Sequence, residues 1–412
     1  MKTQSIVIGA GIVGLCTALY LQERGRRVTL IDRGGPGEGT SSGNAGIVSA
    51  GSCHPEAMPG IWRDIPEMVL HPMAPVVLRP GYLPRFLPWL RRFLAASSAP
   101  RAEAASIAIH ALSSRAMDFL MPLVKRAGAA YLLRQDGLLY VHESAAQFER
   151  AKRNCAYYER RGVDVRLLGG EELREFEPAL RPGIAGAVFI PAAGHTVSPL
   201  ALSRALFQLF EQQGGEFKRD TVRGFVTKDG SISAVQASSE LACDEVFVTA
   251  GAWSHRLAAL LGSRVPLDTE RGYHQQLPDP RITLGRSMLF PARGFAATSM
   301  QHGLRLAGTV EFAGLAAAPD YARARVLAEQ ALELFPGLNV AGGTSWMGYR
   351  PSLPDSNPVI SASPRFSNVF FGFGHGHLGL TQSAVTGAML AAMACGEESP
   401  VNPAPYRIDR RF

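Results

Sequence analysis

Residues 4–32, QSIVIGAGIVGLCTALYLQERGRRVTLID, decide the fold. The first five residues read as a short buried strand. GAGIVG then turns the chain, a helix runs over about 12–24 to Gly25, and RRVTLID (26–32) reads as a second strand. This is a β-turn-α-β unit. Gly9 permits the tight turn, Gly11 lets the backbone approach a pyrophosphate, and Gly14 lets the helix pack closely on the strand. The amides that open the helix, at Ile12 and Val13, face the phosphate charge. Asp32, followed by Arg33, ends the second strand and offers a carboxylate to a ribose hydroxyl. Strand, glycines, helix and acid together predict dinucleotide binding. The motif alone does not separate a nicotinamide from a flavin.

The totals limit what surrounds this unit. A chain of 412 residues is too long for one simple core and implies two domains. The net charge of +7 implies a basic surface, which favours anionic substrates, nucleotide cofactors or an anionic membrane face. No Lys/Arg stripe with interleaved aromatics is present, which excludes nucleic acid as the expected partner. Cys16, Cys53, Cys155, Cys243 and Cys395 are far apart and form no CxxC, so neither disulfides nor zinc are expected and a reducing compartment fits. The apolar run at 6–21 is too short to span a bilayer. The expected location is cytoplasmic, with association at the inner face of the membrane left open.

Further elements follow from periodicity and punctuation. Prolines limit residues 53–100 to short helical pieces. Helices are expected over 102–128, 144–161, 199–217, 320–334 and 381–395, and strands over 137–141, 186–190 and 368–374. KDG (228–230) reads as a hairpin turn. The pattern predicts a nucleotide domain made of 1–52, 195–262 and 337–412, with a second domain inserted as 53–194 and 263–336.

Four more stretches carry chemistry. In TSSGNAGIVSAG (40–51), small residues let Ser42, Asn44, Ala45, Gly46 and Ile47 lie close to an extended cofactor. In VFVTAGAWSHRL (246–257), a buried strand ends at Thr249, Ala250 and Gly251, with Trp253 just beyond; Gly251 again allows close approach. In WMGYRPSLPDSNPVI (346–360), Arg350 sits among aromatics and prolines shortly after Gly348, where a fixed guanidinium would bind a carboxylate through two parallel hydrogen bonds. In FFGFGHGHLGLTQ (370–382), His375 and His377 could be metal ligands, but no Cys, Asp or Glu cluster stands near them, so no metal is expected. Gly374, Gly376 and Gly379 suit instead a backbone that meets a flat ring edge-on, with a helix start aimed at it; a flavin fits that arrangement.

In this order and spacing the motifs resemble the FAD-dependent amine oxidoreductases of the D-amino-acid oxidase type, over nearly the whole chain. NAGIVSAG, MPG and LRPGYLPRFLPWLRRFL look like the D-amino-acid dehydrogenase small-subunit branch; GHTVSPLALSRAL, ERGYH, GYRPSLPDSNPVI and GHGHLGLT are typical of such proteins. The resemblance implies an α/β fold: a Rossmann-like FAD-binding domain of the glutathione-reductase type with an inserted α+β substrate domain on a mixed antiparallel sheet. It implies that Gly9, Gly11, Gly14 and Asp32 hold the ADP half of FAD, Asp32 standing where most relatives have glutamate. Ser42, Asn44, Ala45 and Gly46 would line the flavin side, and Val222 would meet the adenine through its backbone. Gly374, His375, Gly376, Leu378, Gly379, Leu380 and Thr381 would border the isoalloxazine. Arg350 would clamp the substrate carboxylate, and Tyr273 and His274 would contact substrate. No residue matches a covalent flavin-attachment pattern, so FAD is expected to be non-covalent.

The implied activity is oxidative deamination of an amino acid, most readily a D-amino acid. The alternatives are a cyclic imino acid of the D-hydroxyproline type, or glycine or sarcosine oxidised with oxygen. The electron acceptor, whether quinone, soluble carrier or oxygen, stays open. Tyr82, Phe86, Trp89 and Phe93 among Arg79, Arg85, Arg91 and Arg92 read either as an interfacial membrane patch or as a helix covering the second domain.

Overall fold

The computed structural model describes residues 2–63 and 74–412. Its first sheet has six strands, in the order Glu216–Arg219, Arg27–Asp32, Gln4–Ile8, Glu245–Val248, Val369–Phe373 and Val359–Ala362. All run parallel except the last, which is antiparallel to its neighbour. Side chains alternate between its faces, as the period of a strand requires. Val7, Leu30, Phe247 and Phe370 enter one core. Ile6, Ile8, Ile31, Val246 and Phe371 enter the other.

Helices Ile12–Glu23 and Gly379–Cys395 both leave the carboxyl edge of this sheet and lie against each other. They cross at Gly387, where an added Cβ would stand 2.7 Å from the Cys16 carbonyl carbon. Both are apolar almost all round, which explains why neither shows an amphipathic stripe: each is buried on most sides. Beyond the sheet, Asp229 (φ 49°) and Gly230 (φ 77°) turn strand Gly224–Lys228 back onto Ser231–Gln236, the hairpin that KDG predicts.

The second sheet has nine strands and mixed pairing. Its edge strand Thr344–Ser352 pairs with Asp268–Leu277, followed by Gly303–Phe312, Phe295–Met300, Ser287–Phe290, Leu138–His142, Gly186–Ile190 and Arg166–Gly169, while Val76–Leu78 adds to Gly303–Phe312. Its apolar face packs beneath helix Ala322–Leu332 through Leu306, Phe290, Leu327 and Phe335. This is the mixed sheet expected for the substrate side.

Three features depart from the sequence reading. Leu83–Ala96 is one helix of 14 residues despite its prolines. Pro84 lies in the first turn, where no backbone donor is needed, and Pro88 faces outward, so the carbonyl it leaves unbonded is open to water. Helices Ala99–Ser113 and Ala116–Arg126, expected in the inserted domain, put Leu112, Leu120 and Leu123 into the core beside Leu15, Leu19 and Met389. Strand Thr344–Ser352, expected with the nucleotide domain, closes the second sheet. Chain order does not say which of two cores an apolar helix or strand covers.

Candidate active site

One cavity of about 1210 Å³ runs between the two sheets. It starts at the glycine turn. Gly9 adopts φ 109°, and a Cβ there would meet the Thr249 carbonyl oxygen at 2.5 Å. A Cβ on Gly14 would stand 1.8 Å from the Gly9 oxygen, so Gly14 keeps helix and turn in contact and does not itself border the cavity. The helix opens at Gly11 with no acidic residue in its first turn, and the Ser41 hydroxyl accepts from the Ile12 amide at 3.0 Å. The positive end of the helix therefore faces the cavity without a competing carboxylate. Gly11, Ile12, Val13, Asp32, Arg33, Val222, Thr249, Ala250, Gly251 and Trp253 all border this end. The Asp32 carboxylate accepts from the Ala10 amide (2.7 Å) and the Gly34 amide (2.9 Å), which ties the turn to the second strand and leaves each oxygen further lone pairs. The Arg33 guanidinium stacks over Trp253, 3.9 Å from the ring centroid.

The loop 40–46 forms one wall. Asn44, Ala45 and Ile47 border the cavity. Gly46 (φ 76°) and Ser42 do not: the Gly46 amide donates to Asn44 Oδ1, and the Ser42 hydroxyl to the Gly39 carbonyl. Arg305, half-buried in the second sheet, donates to the Ser42 and Asn44 carbonyls at 3.0 and 2.8 Å and holds the loop in place.

The opposite end is the corner after strand Val369–Phe373. His375, Gly376, Leu378, Gly379, Leu380 and Thr381 border the cavity, whereas Gly374 (φ 86°) sits behind them against Leu353. Thr381 Oγ1 accepts from the Ser49 amide. The two histidines diverge. His375 Nε2 meets the Thr386 hydroxyl at 2.9 Å, and His377 Nε2 meets Glu270 at 2.7 Å. Burial pushes His375 down to about 3, so it stays neutral.

Arg350 lies in the middle. Its guanidinium rests on Gly272, where a Cβ would stand 2.3 Å from Cζ. Nη1 donates to the Thr309 carbonyl at 2.9 Å. That carbonyl is turned there by a β-bulge, since Thr309 and Val310 together face Gly272. Thr309 holds φ 54°, a strained value for a β-branched residue, at a cost of about 1–3 kcal/mol. Among the described residues, Nε and Nη2 of Arg350 have no hydrogen-bond partner. Gly348, one register step along, makes room for the Trp346 ring.

Of the two expected substrate contacts, Tyr273 borders the cavity and His274 does not. Neighbouring residues of a strand point to opposite faces, so both could not reach one ligand. Tyr273 touches the cavity, but its hydroxyl donates to Glu311 at 2.7 Å and accepts from the Asp320 amide. His274 does not border the cavity: it stacks on Trp346 and its Nδ1 meets the Gly43 carbonyl at 2.8 Å. Tyr273 thus forms part of the wall with its hydroxyl already engaged, and His274 supports the wall from behind.

Sequence reasoning missed a charged group here. Glu270 faces Arg350 directly across the ladder, is 5% exposed, and accepts from Ser352 at 2.6 Å and bonds His377. Glu56 approaches His377 Nδ1 at 3.3 Å. A carboxylate on a buried strand is the signal that could have found it, because such a group requires a partner.

A family model for FAD dependent oxidoreductases matches residues 4–393. The chain belongs to that family. It is 34% identical over 410 residues to a D-amino-acid oxidase of Bradyrhizobium diazoefficiens, covering 97% of each chain. It is 30% identical over 406 residues to a D-amino acid dehydrogenase of Vibrio cholerae, covering 96% of each. Among solved structures the fold is similar to glycine oxidase from Geobacillus kaustophilus (TM-score 0.74, 21% identity, 100% of both chains). It is also similar to L-proline dehydrogenase from P. horikoshii (TM-score 0.75, 20% identity, 99% and 97%).

The cavity fits FAD. Gly251 (φ 54°) and Gly376 (φ 51°) border it near its two ends, and a Cβ on either would project into open space. Two helix starts without acids in their first turns face the same space, suited to a pyrophosphate and to an electron-rich ring edge.

Proposed function

We propose that this family member oxidises the α-carbon of an amino acid, with D-amino acids as the substrate class. The observation that carries the reading is the placement of Arg350: a guanidinium with two free donor positions, laid flat on Gly272 inside the cavity that suits FAD. Its Nε and Nη2 would take the substrate carboxylate through two parallel bonds. Held at the two glycine corners, FAD would supply the acceptor for the α-hydrogen and its electron pair. The chain contributes mainly by holding the substrate in one orientation, which in favourable systems lowers a barrier by ~7–11 kcal/mol. The product imino acid then hydrolyses to a keto acid and ammonia. Relatives named D-amino-acid oxidase and D-amino acid dehydrogenase support the D hand.

The test is an anaerobic bleaching screen over amino acids of both hands, with glycine, sarcosine and cyclic imino acids included. D-amino acids should bleach the bound flavin; a response confined to L-amino acids would overturn the reading.

For the helix Leu83–Ala96 the covering role is the better supported one. Phe86 and Trp89 stack on each other and pack tilted against Phe312, and Tyr82 donates to Asp268. Oxygen or a soluble carrier would then accept the electrons. Co-sedimentation with anionic liposomes would argue for a membrane quinone instead.

A further inference from the structure

We propose that His377, held between Glu270 and Glu56 beside Arg350, takes the proton that a substrate ammonium loses before oxidation, and that Glu56 passes it to water. This rests on the amino-acid reading above. It adds a proton-handling group to a site that otherwise only positions its substrate.

Geometry gives the path a direction. His377 Nε2 is 2.7 Å from Glu270, whose other oxygen accepts from Ser352, so the buried carboxylate holds Nε2–H and leaves Nδ1 as the basic nitrogen. Nδ1 lies 3.3 Å from Glu56. Side-chain exposure rises along the row, from 6% at Glu270 to 38% at His377 and 52% at Glu56. Glu56 is itself anchored, since its amide and that of Ala57 donate to Ser356 Oγ, in a loop closed by the Arg410–Asp355 pair. His377, Glu56 and Arg350 all border the cavity.

Chemistry assigns the role. Oxidation at the α-carbon needs the nitrogen lone pair, and an ammonium has none. The ammonium N–H proton moves to Nδ1 and its electron pair stays on the nitrogen, so this step changes no oxidation state. Three charged groups face the imidazole: Glu56 from the segment before Ala57, Glu270 from strand Asp268–Leu277 and Arg350 from strand Thr344–Ser352. Burial and Arg350 oppose protonation, the two carboxylates favour it, and the net direction is upward. That brings the imidazole closer to the amine and makes the transfer less uphill. The other two histidines that border the cavity, and Tyr140, do not compete. Burial holds His54 down to about 4 and His375 to about 3, and raises Tyr140.

The test measures anaerobic flavin reduction by the best amino acid from the screen, from acid to alkaline pH, in wild type, Glu56→Gln and His377→Asn. In wild type the second-order rate should rise as His377 loses its proton. Glu56→Gln removes a carboxylate from the imidazolium, so this limb should move to lower pH. His377→Asn should lose about 10²-fold at neutral pH and recover at alkaline pH, where free amine is abundant. A merely structural role predicts the same loss at every pH, and that result, or unchanged profiles, would overturn the proposal. A second readout does not need turnover. In histidine-labelled protein, the imidazole resonance absent from His377→Asn should titrate at lower pH in Glu56→Gln; an unmoved midpoint refutes the coupling. If no amino acid bleaches the wild-type flavin, the functional reading fails first and the relay falls with it.

Discussion

The two parts of the cavity are made of different material. Around Gly9–Val13 and Gly376–Thr381 the walls are main chain: turns that only glycine can make, helix starts, and amides. Around Arg350 they are side chains held by specific partners: Arg350 by the Thr309 carbonyl, Glu270 by Ser352 and His377, and His377 in turn by Glu270. Backbone donors keep their charge at every pH and lose nothing to rotamer freedom. Side chains supply full charges that titrate. The invariant chemistry of a dinucleotide suits the first construction, and the recognition of one substrate class suits the second.

Substitutions can break this division. Gly14→Val should have the largest effect, because its side chain has no room beside the Gly9 oxygen. We expect a loss of about 3 kcal/mol or more, read as a lowered Tm and purified protein without flavin absorbance. Arg350→Ala should do the opposite: the flavin stays, and KM rises by the equivalent of about 2–5 kcal/mol. Flavin lost from Arg350→Ala, or substrate affinity retained, would erase the distinction.

Acid should weaken the fold through buried imidazoles. Burial holds His54 at about 4 and His274 and His375 at about 3, below the ordinary 6.5. Their folded-state values are depressed, so this stability is present above pH 6.5 and drains as pH falls toward 4, by up to ~1.4 kcal/mol per unit for each. His377 has the opposite sign: its contribution is present below 6.5 and fades as pH rises through its raised value. Melting curves at pH 7 and pH 5 should show the decline, and His375→Gln, which keeps a partner for Thr386, should flatten it.

The smallest effects separate support from contact. His274→Asn retains a donor for the Gly43 carbonyl, so kcat should change by no more than a few-fold; a collapse in kcat with the flavin retained would restore His274 to the substrate. Ser41→Ala removes the acceptor for the Ile12 amide and should cost about 1 kcal/mol in thermal stability.

The same division explains what could be read from the chain. Gly9–Gly14, Asp229–Gly230 and the corner at 374–381 are local, since each needs a special backbone within a few residues and glycine announces it. The strand at 186–190 was legible for the same reason, as a continuous apolar run. The site's charged row was not. Glu270 and His377 are 107 positions apart and meet because the turn Gly376–Leu378 packs on strand Thr344–Ser352, which pairs with strand Asp268–Leu277. Tyr273 and His274 are neighbours in sequence, and the pleat sends them to different faces.

The crossing at Gly387 does not border the cavity, yet it sets how closely the two helices that open onto it meet. The two helices it joins carry, at their starts, the two glycine corners that border the cavity and would hold opposite parts of the coenzyme. Any side chain at that position would press on the Cys16–Thr17 backbone and push the two stems apart, so the spacing of the two corners depends on a residue that borders neither.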